Sequence, residues 1–175
     1  MTPPESEHAV GGADSAREAE VRAWLATLPD PEIPALTLED LGIIRWVRSE
    51  GDSVTVGIAP TYTGCPATEV IEESVREALE SHGVEEPRIE RVMSPPWTTD
   101  WISAEGRSKL AAYGIAPPAE ATSAKRALFA PGAKIGCPRC DSVNTIRVSE
   151  FGSTPCKASY KCGDCLEPFE YFKCI

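Results

Sequence analysis

The chain of 175 residues carries 27 acidic against 17 basic residues, a formal net charge of −10 at pH 7 and an isoelectric point near 4.7. A surface that acidic repels phosphate backbones and anionic lipid, and no run of Lys and Arg reverses this, so neither nucleic acid nor a membrane surface is expected as a partner. No apolar stretch approaches the roughly 20 residues of a membrane helix, and the N-terminus has neither the basic nor the apolar region of a signal peptide. The expected location is the cytoplasm, where cysteines stay reduced.

Residues 1–14 are small, polar and Pro/Gly-bearing, which predicts a disordered tail. From Ser15 onward Val21, Trp24, Leu25 and Leu28 recur at helical spacing, and Pro29 ends the run. Pro31 and Pro34 then forbid a regular helix in the acidic loop that begins at Asp30. A hairpin follows. Ile44 and Trp46 share one face of its first strand, Val54, Val56 and Ile58 share one face of its second, and Glu50-Gly51-Asp52 makes the turn. After Cys65 the period becomes helical, with Val70, Ile71, Val75, Ala78 and Leu79 as an apolar stripe from Ala67 to about His82. Pro66 stands where a first helical residue belongs and Gly83 just beyond the end. Residues 87–93 predict a third strand, and a helix from Ser103 to Tyr113 follows the segment WTTDW.

Helix, two strands, helix and strand give an α+β fold with helices on one face of a small sheet. The expected organisation is a first domain over 15–114, a Pro/Ala-rich linker over 115–135 and a cysteine-rich domain over 136–175. From Cys137 to Ile175 basic and acidic residues balance, so the whole acidic excess lies before it and the two domains have different surfaces.

Six of the seven cysteines fall in the last 39 residues. Cys137 and Cys140 form one CxxC knuckle, Cys162 and Cys165 another, and 21 residues separate them. Two such knuckles bring four thiolates around one metal with the coordination shell closed. A segment this short has too small a core to fold alone, and a structural metal supplies the missing stability. Zinc is the expected ion, although all-thiolate sites also accept iron in the manner of rubredoxin. Cys156 and Cys174 fit neither knuckle; both read as small buried residues of the ribbon core, Cys156 being the more exposed.

Cys65 stands apart. It precedes Pro66 at the start of the glutamate-rich helix, where free backbone N–H groups and the helix dipole favour thiolate over thiol. Thr61, Thr63 and Gly64 give it a hydroxylated, flexible approach. Such a sulfur can attack an electrophile, bind a metal or simply cap a helix. Nucleophilic catalysis lacks a base, because the two histidines are His8 in the tail and His82 at the far end of the helix. Asp30 and Glu32 read either as turn residues or as hard oxygen ligands beside the soft sulfur, a mixed set able to hold iron transiently.

The segments DPEIPALTLEDLGIIRWV and TYTGCPATEVI resemble the SufT-like iron–sulfur assembly domain. PPWTTDW, GIAPPA, CPRC, SEFGSTPCKASYKCGDC and EPFEYFKCI together resemble the D-subunit family of the ring-1,2-phenylacetyl-CoA epoxidase system of phenylacetate degradation. That resemblance implies a SufT-like assembly domain followed by a β zinc ribbon, and an accessory, non-catalytic role in maturing a multicomponent di-iron monooxygenase. It implies Cys65, Asp30 and Glu32 as binders of a transient iron or iron–sulfur cluster, and Cys137, Cys140, Cys162 and Cys165 as ligands of structural zinc. The implied partners are other epoxidase subunits, either the hydroxylase or the iron–sulfur flavin reductase; homodimerisation is left open. The residues agree from their own side. Beyond Glu5 and His8 in the tail, the chain has no Glu-x-x-His pair of the kind that builds a di-iron centre on helices, and it has no G-x-G-x-x-G and no P-loop. A non-catalytic structural subunit with zinc alone is the rival reading.

Overall fold

The computed structural model describes residues 12–62, 64–118 and 135–173. Most of the expected tail, Thr63, most of the 115–135 linker and Cys174 lie outside the described residues. Helix α1 spans Gly12–Leu25, beginning three residues before the expected Ser15. It buries Val21 and Leu25 completely, with Trp24 and Leu28 packed at the margin.

Strands β1 (Ile44–Glu50) and β2 (Ser53–Ile58) form the expected antiparallel hairpin, closed at Gly51-Asp52 with Gly51 in the left-handed region. Helix α2 (Ala67–Ser81) then crosses over to β3 (Arg88–Arg91), which lies parallel to β2, so the sheet order is β1-β2-β3. Val54, Val56 and Ile58 all face the core as the alternation requires.

The first strand departs from expectation. A register shift between Ile44 and Trp46 breaks the alternation, so Ile44, Val47 and Ser49 are buried while Trp46 turns to the other face. There the indole lies across Gly57, where any Cβ would overlap the ring. In α2 the buried stripe is Ala67, Thr68, Ile71, Val75 and Leu79; Val70, expected in the stripe, is exposed. Helix α3 (Ala104–Tyr113) starts at Ser103, whose hydroxyl accepts the Gly106 N–H at 2.8 Å, and stops at left-handed Gly114.

A second sheet has the order β4-β7-β6-β5, with β4 at Ile115–Ala116, β5 at Thr145–Ser149, β6 at Lys157–Cys162 and β7 at Pro168–Phe172. The last three are the ribbon strands read from the sequence. Strand β4 is a correction: Ile115 and Ala116, placed in the linker by composition, pair with Glu170 and Tyr171 in parallel. Proline and alanine density hides a two-residue strand, because the pairing partner is more than 50 residues away.

The two sheets are not independent bodies. Cys156 and Phe172 of the ribbon are buried in the same core cluster as Leu36, Ile43, Ile71 and Leu110, while Ile135, Cys137, Cys162, Phe169 and Tyr171 with Ala116 form a smaller ribbon core. Trp97 joins the halves. Its Nε1 donates to the Leu41 carbonyl at 2.8 Å, and its ring lies 6.2 Å from that of Phe172. Trp101 is half-buried beneath the Arg45 guanidinium, 3.4 Å from the ring centre. Among the described residues no helix is long and apolar enough to cross a membrane.

Candidate metal centre and thiol cavity

The ribbon knuckles sit where tight turns meet strands. Cys137 precedes a turn in which the Asp141 N–H returns to its carbonyl at 2.9 Å, with Asp141 itself left-handed. Cys162 ends β6, and its N–H donates to the Glu167 carbonyl at 3.0 Å. Asp164 ties one knuckle to the other by accepting from Ser142 and from Asn144 Nδ2, the latter at 2.7 Å. Backbone N–H groups of Cys165 and Asp164 directed at the Cys162 sulfur hold that thiol down to about 6.

Cys137, Cys140, Cys162 and Cys165 have their sulfurs within 4.8 Å of one another. Cys137 to Cys165 measures 3.7 Å and Cys140 to Cys162 3.6 Å. Four sulfurs at the Zn–S distance of about 2.3 Å on a tetrahedron lie about 3.8 Å apart, so this set fits a zinc ion in both number and spacing. With four protein ligands the shell would be closed, and such an ion holds structure rather than substrate. Among the described residues these are the only three or more Cys, His, Asp or Glu side chains so closely gathered.

The Cys65 region is built differently. The loop after α1 is folded by Asp30, whose Oδ1 accepts the N–H groups of Glu32 at 3.0 Å and Ile33 at 2.7 Å. Asp30 is buried, and that burial raises its pKa above the usual carboxylate value despite those two bonds. Its carboxylate is thus occupied in shaping the loop, and the loop presents Glu32. The second segment is the turn before α2. The Cys65 N–H returns to the Tyr62 carbonyl at 3.2 Å and the Thr68 N–H to the Cys65 carbonyl at 3.1 Å, leaving Cys65 half-buried one residue before the Pro66 N-cap.

Asp30, Glu32 and Cys65 line one small cavity of about 20 Å³, together with Thr61, Ile71, Phe172 and others. The expected juxtaposition of the acidic loop and the Cys65 turn is therefore present, although the donors do not converge as the ribbon sulfurs do. A wider polar groove of about 920 Å³ beside the hairpin turn contains none of these residues.

Three participants were not read from the sequence. Cys156, expected to be the more exposed of the two leftover cysteines, is 4 % exposed and lines this same cavity, its thiol donating to Glu32 Oε2 at 3.8 Å. Lys157 is buried beside it, paired with Glu170 at 3.1 Å, and its ammonium also faces Asp30 and Glu32. Burial and then the neighbouring Asp30 raise the Glu32 carboxyl above its usual range. Tyr62 has a buried hydroxyl with no hydrogen-bond partner among the described residues. Burial, followed by the Cys65, Glu32 and Cys156 groups around it, pushes that phenol up to about 12. The sequence carried one usable signal for Cys156, its misfit to either knuckle.

Residues 18–92 match the family model described as iron–sulfur cluster assembly protein, and residues 121–173 match that of the PaaD zinc beta ribbon domain. The chain is 47 % identical over 156 residues to the Escherichia coli (strain K12) protein described as the D component of 1,2-phenylacetyl-CoA epoxidase, covering 89 % of this chain and 92 % of that one. It is 38 % identical over 95 residues to an Fe-S protein maturation auxiliary factor of Porphyromonas gingivalis, covering 53 % of this chain and 90 % of the relative. Among solved structures, a domain of unknown function DUF59 from Bacillus anthracis superposes with a TM-score of 0.53 at 25 % identity, over 56 % of this chain and 94 % of that one.

Proposed function

The chain belongs to the D-component family of the 1,2-phenylacetyl-CoA epoxidases, and from that membership we propose that it is an accessory maturation factor rather than an oxygenating subunit. Its cargo is iron or an iron–sulfur centre destined for another epoxidase subunit, hydroxylase or reductase. Cys65 is the transient ligand, and the Asp30 loop brings Glu32 to it. The observation that carries this reading is the shared cavity, in which a sulfur from the start of α2 and a carboxylate from the loop after α1 meet at one small space.

The ribbon then has two tasks. Zinc keeps it folded, and its outer strand offers a docking face. Ile146, Val148 and Phe151 are 63 %, 65 % and 62 % exposed on and next to β5, the edge of the second sheet, in a region whose charges balance. A neutral apolar edge is what a partner subunit can cover, whereas the acidic first domain repels other acidic surfaces.

Metal and acid-labile sulfide are to be measured in anaerobically purified protein, alone and co-expressed with the epoxidase subunits, wild type beside Cys65→Ser. The expected result is one zinc per chain in both, iron present only in the wild type, and a client that loses iron with the variant. A client with full iron and activity beside Cys65→Ser would overturn the maturation reading in favour of a purely structural subunit.

A further inference from the structure

Cys156 reaches the cavity from the ribbon. It follows the 151–155 turn that leads into β6, where its carbonyl accepts the Lys173 N–H at 2.9 Å. Its position is therefore fixed by the same β6–β7 pairing that the zinc knuckles hold at the opposite end of the strand. The thiol donates to Glu32 Oε2, and the cavity wall beyond is Cys65. A merely hydrophobic cysteine in a packed core needs no carboxylate partner; this one has the Thr154 hydroxyl at 3.0 Å, the Glu32 carboxylate at 3.8 Å and a second thiol on the same cavity.

We propose that Cys156 is a second thiolate ligand of the cargo site, so that Cys65, Cys156 and Glu32 together take a single divalent iron ion at the junction of the two domains. The inference rests on the Cys65 reading and adds the ribbon's ligand and the nuclearity. A cavity of about 20 Å³ has the room that one bound ion needs. The charge balance agrees. Two thiols bind as thiolates and release two protons, for one of which Glu32 is the immediate acceptor on its way to solvent; two thiolates and one carboxylate around a +2 ion leave −1, beside the Lys157 ammonium that also pairs with Glu170.

Cobalt(II) serves as the probe, because it takes thiolate sites, absorbs strongly when sulfur-bound and has an absorption edge distinct from that of ribbon zinc. Full-length zinc-loaded protein titrated anaerobically should bind one cobalt per chain with zinc retained, and X-ray absorption at the cobalt edge should count two sulfur neighbours. Cys65→Ser and Cys156→Ser should each remove about half the sulfur-to-cobalt absorption and weaken binding tenfold or more, at least the loss that follows disturbance of an outer-shell partner. Glu32→Gln should keep the absorption and weaken binding. One sulfur neighbour in the wild type, lost in Cys65→Ser, would refute the role of Cys156 and leave the Cys65 reading standing. Cobalt binding unaffected by Cys65→Ser would refute both. Four sulfur neighbours with zinc displaced would place the metal in the ribbon, and inorganic sulfide accompanying iron in purified protein would refute the single-ion part. The wild-type sulfur count decides the matter even if a buried Cys156 variant fails to fold.

Discussion

In the ribbon four sulfurs stand 3.6–3.7 Å from their cross-site partners, come from one short segment and are steadied by knuckle N–H groups and by Asp164. In the cavity two sulfurs and two carboxylates come from three distant segments, and no three of them close on a point. The first arrangement suits a metal held for the life of the fold, since every ligand is local and four thiolates would fill the shell. Under the proposal made above, the second would suit an ion that must leave, because its donors are mixed in hardness and one of them comes from the ribbon. Tight and loose thiol sites thus coexist about one strand apart, and the ribbon's rigidity is what positions the loose one.

Removing zinc, or making Cys137→Ser, is the severest way to break that relation. Structural zinc sites contribute on the order of 10 kcal/mol, so the ribbon should unfold, and because Phe172 and Cys156 lie in the common core, the melting temperature of the whole chain should fall. A melt in which the first domain keeps its transition after chelation would separate the two bodies. Phe172→Ala should cost about 3–5 kcal/mol in denaturant titrations by opening a cavity beneath Trp97. Trp97→Phe keeps most of the packing but leaves the Leu41 carbonyl without its donor, a loss of about 1–3 kcal/mol.

Smaller effects sharpen the contrast. Ile146→Glu with Val148→Glu should change stability by about 0.5 kcal/mol or less, both side chains being solvent-facing, while abolishing co-purification with the epoxidase subunits. Two buried aspartates should answer acid in opposite senses. Burial works against Asp40, but Lys109 at 2.8 Å and the Thr37 N–H outweigh it and lower its pKa. Its contribution is therefore present above the unfolded value and lost as pH falls through the lowered one. Asp30 is raised, so its protonated form is favoured in the fold, and stability should rise as pH falls through that raised value toward 3.8. Melting temperature against pH should lose its mild-acid rise in Asp30→Asn and its strong-acid fall in Asp40→Asn.

Much of this was legible in the order of residues alone. The helix limits near Ala67 and Gly83, the hairpin turn at Gly51, the helix ending at Tyr113 and the two knuckles all follow from local chemistry, where the deciding groups are within a few residues. What escaped was decided at long range. The phase slip in β1 depends on Trp46 meeting Gly57 across the hairpin, strand β4 on a partner in β7, and the burial of Cys156 on a domain 124 residues earlier in sequence, at Glu32. The same holds for the site. Asp30, Glu32 and Cys65 were suggested by pattern and do share a cavity, whereas Cys156 and Lys157 come to them only through tertiary packing.

The pairing of β4 with β7 has a further meaning for how the chain can be divided. Ala116 before the segment 117–134 and Ile135 after it are buried in the same ribbon core. Both ends of that segment are therefore anchored in one body. Doubling its length should cost only about 0.6 kcal/mol of closure entropy. A protease cut inside it should leave two fragments that still migrate as one particle, held by strand pairing, the zinc-bound ribbon and the core around Phe172.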